Sequence, residues 1–274
     1  HIDTLSPALT DTECTDEGTY RRCSAMLMVE DYRAENGAVD IDVSDVNPQK
    51  TWELPVSIWL PPASMAGPYP TIVFGHGLTD TRNSAAMFAE DYAADGWATV
   101  AIDALVHGDH PSTEGVMLSG IQGTFRFFAL TLSNPPVLDA RRLRDHWRQS
   151  TYDKLQLTRM LTHDGDLDGD GDNDVDTSRL VYFGISLGGI IALAMLGDGR
   201  LASLATFGTT YAIHLPRVGG HHLITASQRL PRDLTLKVAA QNLLNQAVVV
   251  KQGDITVQEY QPGVAVSAAL EWSP

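Results

Sequence analysis

The order of apolar and polar positions divides the chain into elements. Trp52–Leu60 alternates and stops at Pro61-Pro62, which predicts a strand with a sharp end. Tyr69–Phe74 is a short apolar run followed by Gly75-His76-Gly77, a buried strand entering a tight loop. Asn83–Asp95 carries Ala85, Ala86, Phe88, Ala89, Tyr92 and Ala93 at helical spacing, closed by Gly96. Trp97–Ile102 reads as a second buried strand, and Val137–Leu161 as a long amphipathic helix. Arg179–Phe183 is then a strand, Leu187–Leu196 a helix and Leu201–Phe207 a strand. Buried strands alternating with helices predict an α/β fold, with a mostly parallel sheet and helices on both faces.

The flanks read differently. Residues 1–50 are polar and acidic and predict an irregular lead-in, with short strands around Ala25–Val29 and Val39–Val43. Residues 104–135 are rich in Gly, Ser and Thr and hold Phe125, Phe127 and Phe128. They are either a lid over a site or a loop pinned to the core by its aromatics. Asp233–Val238 and Val264–Trp272 alternate with strand period where a helix would be expected. The expected division is a lead-in over 1–50, a core over 51–230 and a β-rich tail over 231–274.

Composition narrows the function. With 274 residues and 43% hydrophobic content the chain can bury a real core. A formal charge of −15 argues against a nucleic-acid partner, since no basic surface would neutralise phosphates. No apolar run reaches the length of a transmembrane helix. The chain begins at His1 without a visible signal peptide, and is expected to be mature, processed or cut for expression. Its only two cysteines, Cys14 and Cys23, lie in a polar, turn-rich stretch. A disulfide clipping this loop, and hence a secreted or envelope location, is expected over two free thiols.

Gly184-Ile185-Ser186-Leu187-Gly188 is a G-x-S-x-G pattern between a predicted strand and a predicted apolar helix. That context marks a nucleophile elbow, a strained turn that needs small residues and lifts the serine hydroxyl above the strand end. Acyl transfer also needs N–H groups aimed at the developing oxyanion. Leu187 is expected to supply one and Leu78, in the His-Gly loop after the first buried strand, the other. His76 is expected to hold that loop rather than act as a base.

Three stretches carry a family resemblance: residues 67–78, residues 96–103 and residues 176–189. Through them, residues from about 50 to 215 resemble an α/β-hydrolase and are similar to bacterial extracellular lipases and esterases. The resemblance implies a carboxylic ester hydrolase working through an acyl-enzyme on Ser186, with a small-molecule or lipid ester as substrate. It also implies the order Ser, then Asp or Glu, then His. Here the sequence departs from the pattern. After Ser186 come only His214, His221 and His222, and the only acid between Ser186 and His222 is Asp198, too early for the family's acid. His221 or His222 by an irregular route, and His107 or His110 beyond a strand's carboxyl end, are the candidates for the base, though each is expected to be structural or exposed instead. A catalytically incomplete hydrolase fold, a fragment or binding module, is the alternative. Residues 236–274 weakly resemble the closing strands of TonB-dependent outer-membrane receptors, and the tail is expected to pair onto the sheet or to form a homodimer contact.

The acidic stretch before the elbow places Asp166, Asp168, Asp170, Asp172 and Asp174 at alternate positions. Converging carboxylates suit a hard cation such as Ca2+. Thr177 stands where an EF-hand has Glu, so a complete EF-hand is excluded. A structural Ca2+ held by these aspartates is expected over a solvated acidic turn.

Overall fold

The computed structural model describes residues 1–33, 47–114, 121–133, 135–195 and 200–201, with the backbone alone at 121, 193 and 194. Beyond residue 201 it describes the backbone of seven strands. The expected strand at Val39–Val43 and the acid Asp198 lie outside the described residues.

The elements run β1 (Leu9–Asp16), β2 (Arg21–Asp31), β3 (Lys50–Leu60), β4 (Tyr69–Gly75), α1 (Ala86–Ala94), β5 (Ala98–Ile102), α2 (Ile121–Phe127), β6 (Leu130–Thr131), β7 (Val137–Leu138), α3 (Ala140–His163), β8 (Val175–Ile185) and α4 (Leu187–Ala194). Then follow β9 (Ser203–Phe207), β10 (Ala212–Val218), β11 (His221–Leu230), β12 (Leu234–Gln241), β13 (Val248–Gln252), β14 (Ile255–Tyr260) and β15 (Ala265–Trp272). The main sheet has the order β1-β2-β3-β5-β4-β8-β9-β10-β11-β12-β15. The expected α/β class holds, with a refinement. Parallel pairing is confined to the central β5-β4-β8-β9 block, and both flanks are antiparallel.

Handedness places the helices. The chain moves one way from β4 to β5 and the other way from β5 to β8 and on to β9. Right-handed crossovers in opposite directions lie on opposite faces. Alternate residues of the strands follow: Leu180 and Tyr182 of β8 pack in the cluster with Leu157, Met160 and Leu161 of α3 and Leu187 and Ile191 of α4. Phe183 and Ile185 pack instead in the cluster of Phe74, Ala89 and Ala93 on the α1 side. The direction reverses between β4 and β8, and the crevice above their carboxyl ends is where such sheets bind ligands.

The stretch 1–50, expected to be an irregular lead-in, contributes two full strands. β2 pairs with β3 from Arg21↔Leu60 to Asp31↔Lys50, so it belongs to the same sheet as the core. Cys14 and Cys23 face each other across β1 and β2 and form a disulfide. Beyond Leu27, β2 has no β1 partner, and α3 side chains replace it: Gln156 Oε1 accepts from the Glu30 N–H at 2.7 Å and Gln149 Oε1 from the Tyr32 N–H at 2.9 Å. This explains why α3 buries glutamines that a simple apolar stripe would not include. α3 begins at Ala140, not Val137, because Asp139 caps it by accepting from the Arg142 N–H. Val137 and Leu138 pair with β6 instead.

The tail joins the main sheet: β12 pairs with β11 along its length and β15 with β12. β13 and β14 form a separate hairpin. Among the described residues no helix is long and apolar enough to cross a membrane.

Candidate active site

Ser186 stands at the turn between β8 and α4 with φ +51° and is exposed. A left-handed backbone at a non-glycine residue costs on the order of 1–3 kcal/mol and persists only where its surroundings enforce it. They do so here through three glycines. A Cβ on Gly188 would stand 2.1 Å from the Gly75 carbonyl oxygen, and one on Gly184 2.5 Å from the Gly188 backbone. A Cβ on Gly75 would stand 2.1 Å from the Tyr182 hydroxyl. The elbow can pack against the end of β4 only because all three side chains are absent.

The loop after β4 lies against the nucleophile. The Cβ position of Gly77 is 3.6 Å from the Ser186 Cβ. Leu78 follows, half-buried against the core, and Leu187 is buried at the head of α4. The structure therefore brings Ser186, the Leu78 loop and Leu187 to one crevice at the carboxyl edge of the sheet.

The histidines near this edge are buried, and His76 and His110 have both ring nitrogens engaged. His76 is fully buried; its Nδ1 donates to the Gly77 carbonyl at 2.8 Å and its Nε2 accepts from the Ala104 N–H at 2.9 Å. Burial pushes its pKa down to about 4, and neighbouring His107 adds to the effect. This ring fixes the loop, as expected. His110 accepts from the Ser112 N–H through Nδ1 and faces Asp153 through Nε2 at 3.4 Å. His107 donates from Nδ1 to the Leu105 carbonyl, and its Nε2 is buried without a partner. Among the described residues no histidine hydrogen-bonds Ser186. His221 and His222 open β11 opposite Val218 and Arg217. That is the amino edge of the sheet, about five residues or ~17 Å along the strand from the carboxyl edge. His214 lies mid-strand in β10, opposite Ala205 of β9.

Sequence reasoning missed Lys154. It lies on the buried face of α3, and its Nζ donates to the Phe74 carbonyl at 2.9 Å and the Ile102 carbonyl at 2.8 Å. One ammonium thus ties together the carboxyl ends of β4 and β5, beneath the loop that faces Ser186. The signal in the sequence was a lysine one turn before Leu157 and Thr158 on the inward face. Asp103, just after β5, is likewise buried and accepts from the Arg82 N–H, the Arg82 guanidinium and the Asp109 N–H.

The acidic loop lies at the opposite, amino edge and leads directly into β8. Carboxylate oxygens of Asp166, Asp168 and Asp174 come within 4.8 Å of one another. Asp170 and Asp172 do not join them; both are exposed, and Asp170 accepts from the Asp172 N–H. Arg21 pairs with Asp168. Asp166 accepts from the Gly169 and Gly171 N–H groups, and Asp174 from the Leu167 N–H. Burial pushes the Asp174 carboxyl up to about 6, with neighbouring Asp168 adding to it.

No protein-family model and no curated relative matches the chain. Solved structures do. An acetyl xylan esterase from a Paenibacillus species is 18% identical with a TM-score of 0.47, over 73% of this chain and 54% of that one. An acetyl xylan esterase from a Thermoanaerobacterium species is 17% identical with a TM-score of 0.42, over 71% and 51%. A cold-adapted esterase from an Arctic intertidal metagenomic library is 14% identical with a TM-score of 0.41, over 71% and 63%. The match spans about half the length of the two acetyl xylan esterases and under two thirds of the third protein.

Proposed function

We propose that this protein is a serine hydrolase of carboxylic esters. Ser186 attacks the ester carbonyl, and the Leu78 and Leu187 N–H groups receive the oxyanion. The observation that carries this reading is the exposed Ser186 at φ +51°, between three glycines that admit no side chain and against the Gly77 loop. A fluorophosphonate probe should label the wild type and leave Ser186→Ala unlabelled; equal labelling of both rejects the assignment. The reading is that of a secreted or envelope enzyme, in keeping with the Cys14–Cys23 disulfide.

One observation favours the second reading, a hydrolase fold lacking a complete triad. His76 and His110 have both ring nitrogens engaged, and His107 has its Nε2 buried. Hydrolysis of a short-chain nitrophenyl ester that disappears in Ser186→Ala excludes it.

The proposal extends to two structural features. A Ca2+ ion is held by Asp166, Asp168 and Asp174 and braces the loop that enters β8; the three converging carboxylates fit a hard cation. The tail mediates a homodimer, because β15 ends the sheet and an edge strand offers unpaired backbone groups. Sedimentation of the full chain and of a chain ending at residue 230 checks the second point.

A further inference from the structure

A cavity of about 650 Å³ opens at the same carboxyl edge as Ser186, over β5, β3 and β2. Its inner wall is the end of the sheet. β3 runs antiparallel to β5 with Val56 opposite Ile102, so Lys50 and Trp52 project past the end of β5. Asp31 of β2 pairs with Lys50, and Arg33 follows it. The outer wall is α2 and the β6–β7 hairpin, including Phe125 and Arg126. Phe127 anchors that wall by edge contacts to His107 and Trp147. Phe127 therefore pins α2 to the core, and Val106, Glu114, Phe125 and Arg126 also line a chamber.

The chamber is positive in a chain of formal charge −15. Of its sixteen lining residues, Arg33, Lys50, Arg126 and Arg142 are cationic, and only Glu114 and Asp139 are anionic. Arg33 is more than nine-tenths buried and engages Asp31 through Nε and Nη2, both at 2.9 Å. Asp31 is thereby matched, and Lys50, 3.5 Å from the same carboxylate and 53% exposed, is a surplus cation. The Arg126 side chain is exposed and makes no hydrogen bond or ion pair among the described residues; its backbone carbonyl accepts from the Ala129 N–H. Asp139 caps α3 by accepting from the Arg142 N–H and keeps its charge, and the acids Asp31, Glu114 and Asp139 still stand against four cations. His146 lines the same chamber. Burial first, then Arg33 and Arg142, hold its pKa down to about 4, and its Nδ1 donates to the Phe127 carbonyl. Screening over a Debye length of about 8 Å separates this edge from the acidic loop at the far end of the strands.

We propose that this chamber is an anion subsite of the ester-binding cleft, receiving an oxyanion carried by the substrate. The inference rests on the ester hydrolase reading above and names the substrate class: esters bearing a carboxylate, or an equivalent oxyanion, remote from the scissile carbonyl. The spacing follows from the sheet. Ser186 tops β8 and Trp52 is on β3, three strand spacings away, or about 14 Å at ~4.8 Å each. A neutral short ester fills the crevice at Ser186 alone. A longer acid ester reaches across β4 and β5 and places its charge among Arg33, Lys50 and Arg126.

The test separates binding from turnover. The mono-4-nitrophenyl ester of dodecanedioic acid, and the same ester with its free acid capped as a methyl ester, are titrated into the full-length Ser186→Ala protein. The acid should bind at least about tenfold more tightly than the capped probe, with the gain shrinking as salt rises. Arg126→Gln and Lys50→Gln, each added to Ser186→Ala, should each weaken the acid probe by about tenfold. The two residues lie on opposite walls and are both exposed, and circular dichroism confirms that each variant is folded. Equal affinity for the two probes, no binding of the acid, or no effect of either variant overturns the subsite. Wild-type hydrolysis is scored separately. A selective subsite without turnover rejects the esterase reading alone, and turnover without selectivity rejects the subsite alone.

Discussion

The Gly188 N–H donates to the His76 carbonyl oxygen at 2.9 Å, which ties the first turn of α4 to the loop that faces Ser186. The contact is open only because position 188 has no side chain: a Cβ there would meet the Gly75 carbonyl oxygen at 2.1 Å. Backbone on both sides leaves nothing flexible to give way. Gly188→Ala should therefore cost roughly 1–3 kcal/mol by overpacking and abolish fluorophosphonate labelling. Gly171→Ala is the control. Its added Cβ has open space, and only the positive φ of +92° penalises it, by about 1 kcal/mol. Urea midpoints and labelling of the two variants side by side check this; equal labelling would show that the elbow can relax.

Lys154 gives a pH signature. Burial lowers its pKa from 10.5 to about 7. The folded value lies below the unfolded one, so between them the unfolded chain binds more protons, and stability rises with pH from about 7 toward 10. The neutral amine still has two protons for the Phe74 and Ile102 carbonyls. Lys154→Met removes both donors. It should cost on the order of 1–3 kcal/mol at pH 7 and flatten the rise, as read from urea midpoints at pH 7 and 9.5.

At acid pH two opposite contributions meet. Burial holds the His76 and His146 pKa values at about 4, below the ordinary 6.5. The unfolded chain takes up protons that the folded chain refuses, so stability falls as pH drops from 6.5 through 4. Asp174 works the other way. Its folded pKa of about 6 lies above the ordinary 3.8, so its contribution is present below 3.8 and lost as pH rises through 6. The acid-side slope should be shallower in His146→Asn, which keeps a donor for the Phe127 carbonyl, and steeper in Asp174→Asn. Thermal melts across pH 4–7 without divalent metal decide it; a reversed order of slopes would contradict these assignments.

The elbow and the central strands were legible because their physics is local. Gly184, Ser186 and Gly188 need each other within five positions, and β4, β5 and the Leu180–Phe183 half of β8 are short, mostly apolar runs of the kind a strand covered on both faces requires. β1 was not legible: its burial pattern is mostly exposed, and its pairing depends on Cys14 meeting Cys23 across a turn. The inward face of α3 was hidden for a different reason. Gln149, Lys154 and Gln156 are buried there as hydrogen-bond partners of strand ends brought from far along the chain. A helical period in hydrophobicity cannot show that. The chamber at the carboxyl edge is equally remote from sequence, because Arg33, Lys50 and Arg126 become neighbours only once β2, β3 and α2 are assembled.

Metal removal tests the acidic loop. Three carboxylates whose oxygens lie within 4.8 Å repel one another, and the one arginine among them, Arg21, pairs with Asp168 and acts on Asp174 only at longer range. Asp174, held near pKa 6 by burial, must lose its proton to ligate. Ca2+ affinity should therefore rise as pH increases through 6, with proton release on binding. A ligand bound only by the folded state adds about 2.7 kcal/mol at a hundredfold excess over its dissociation constant. For a chain of this size that corresponds to a melting shift of roughly 5–10 °C, lost in chelator and restored by added Ca2+. Asp166→Asn keeps an oxygen for the Gly169 or Gly171 N–H but removes one charge. With Ca2+ bound, that variant should lose most of the shift. In a merely solvated turn, the same substitution relieves repulsion and leaves the melting temperature unchanged or higher. Identical melts of the wild type in chelator and in Ca2+, with no metal found by elemental analysis, would assign the loop to the solvated turn.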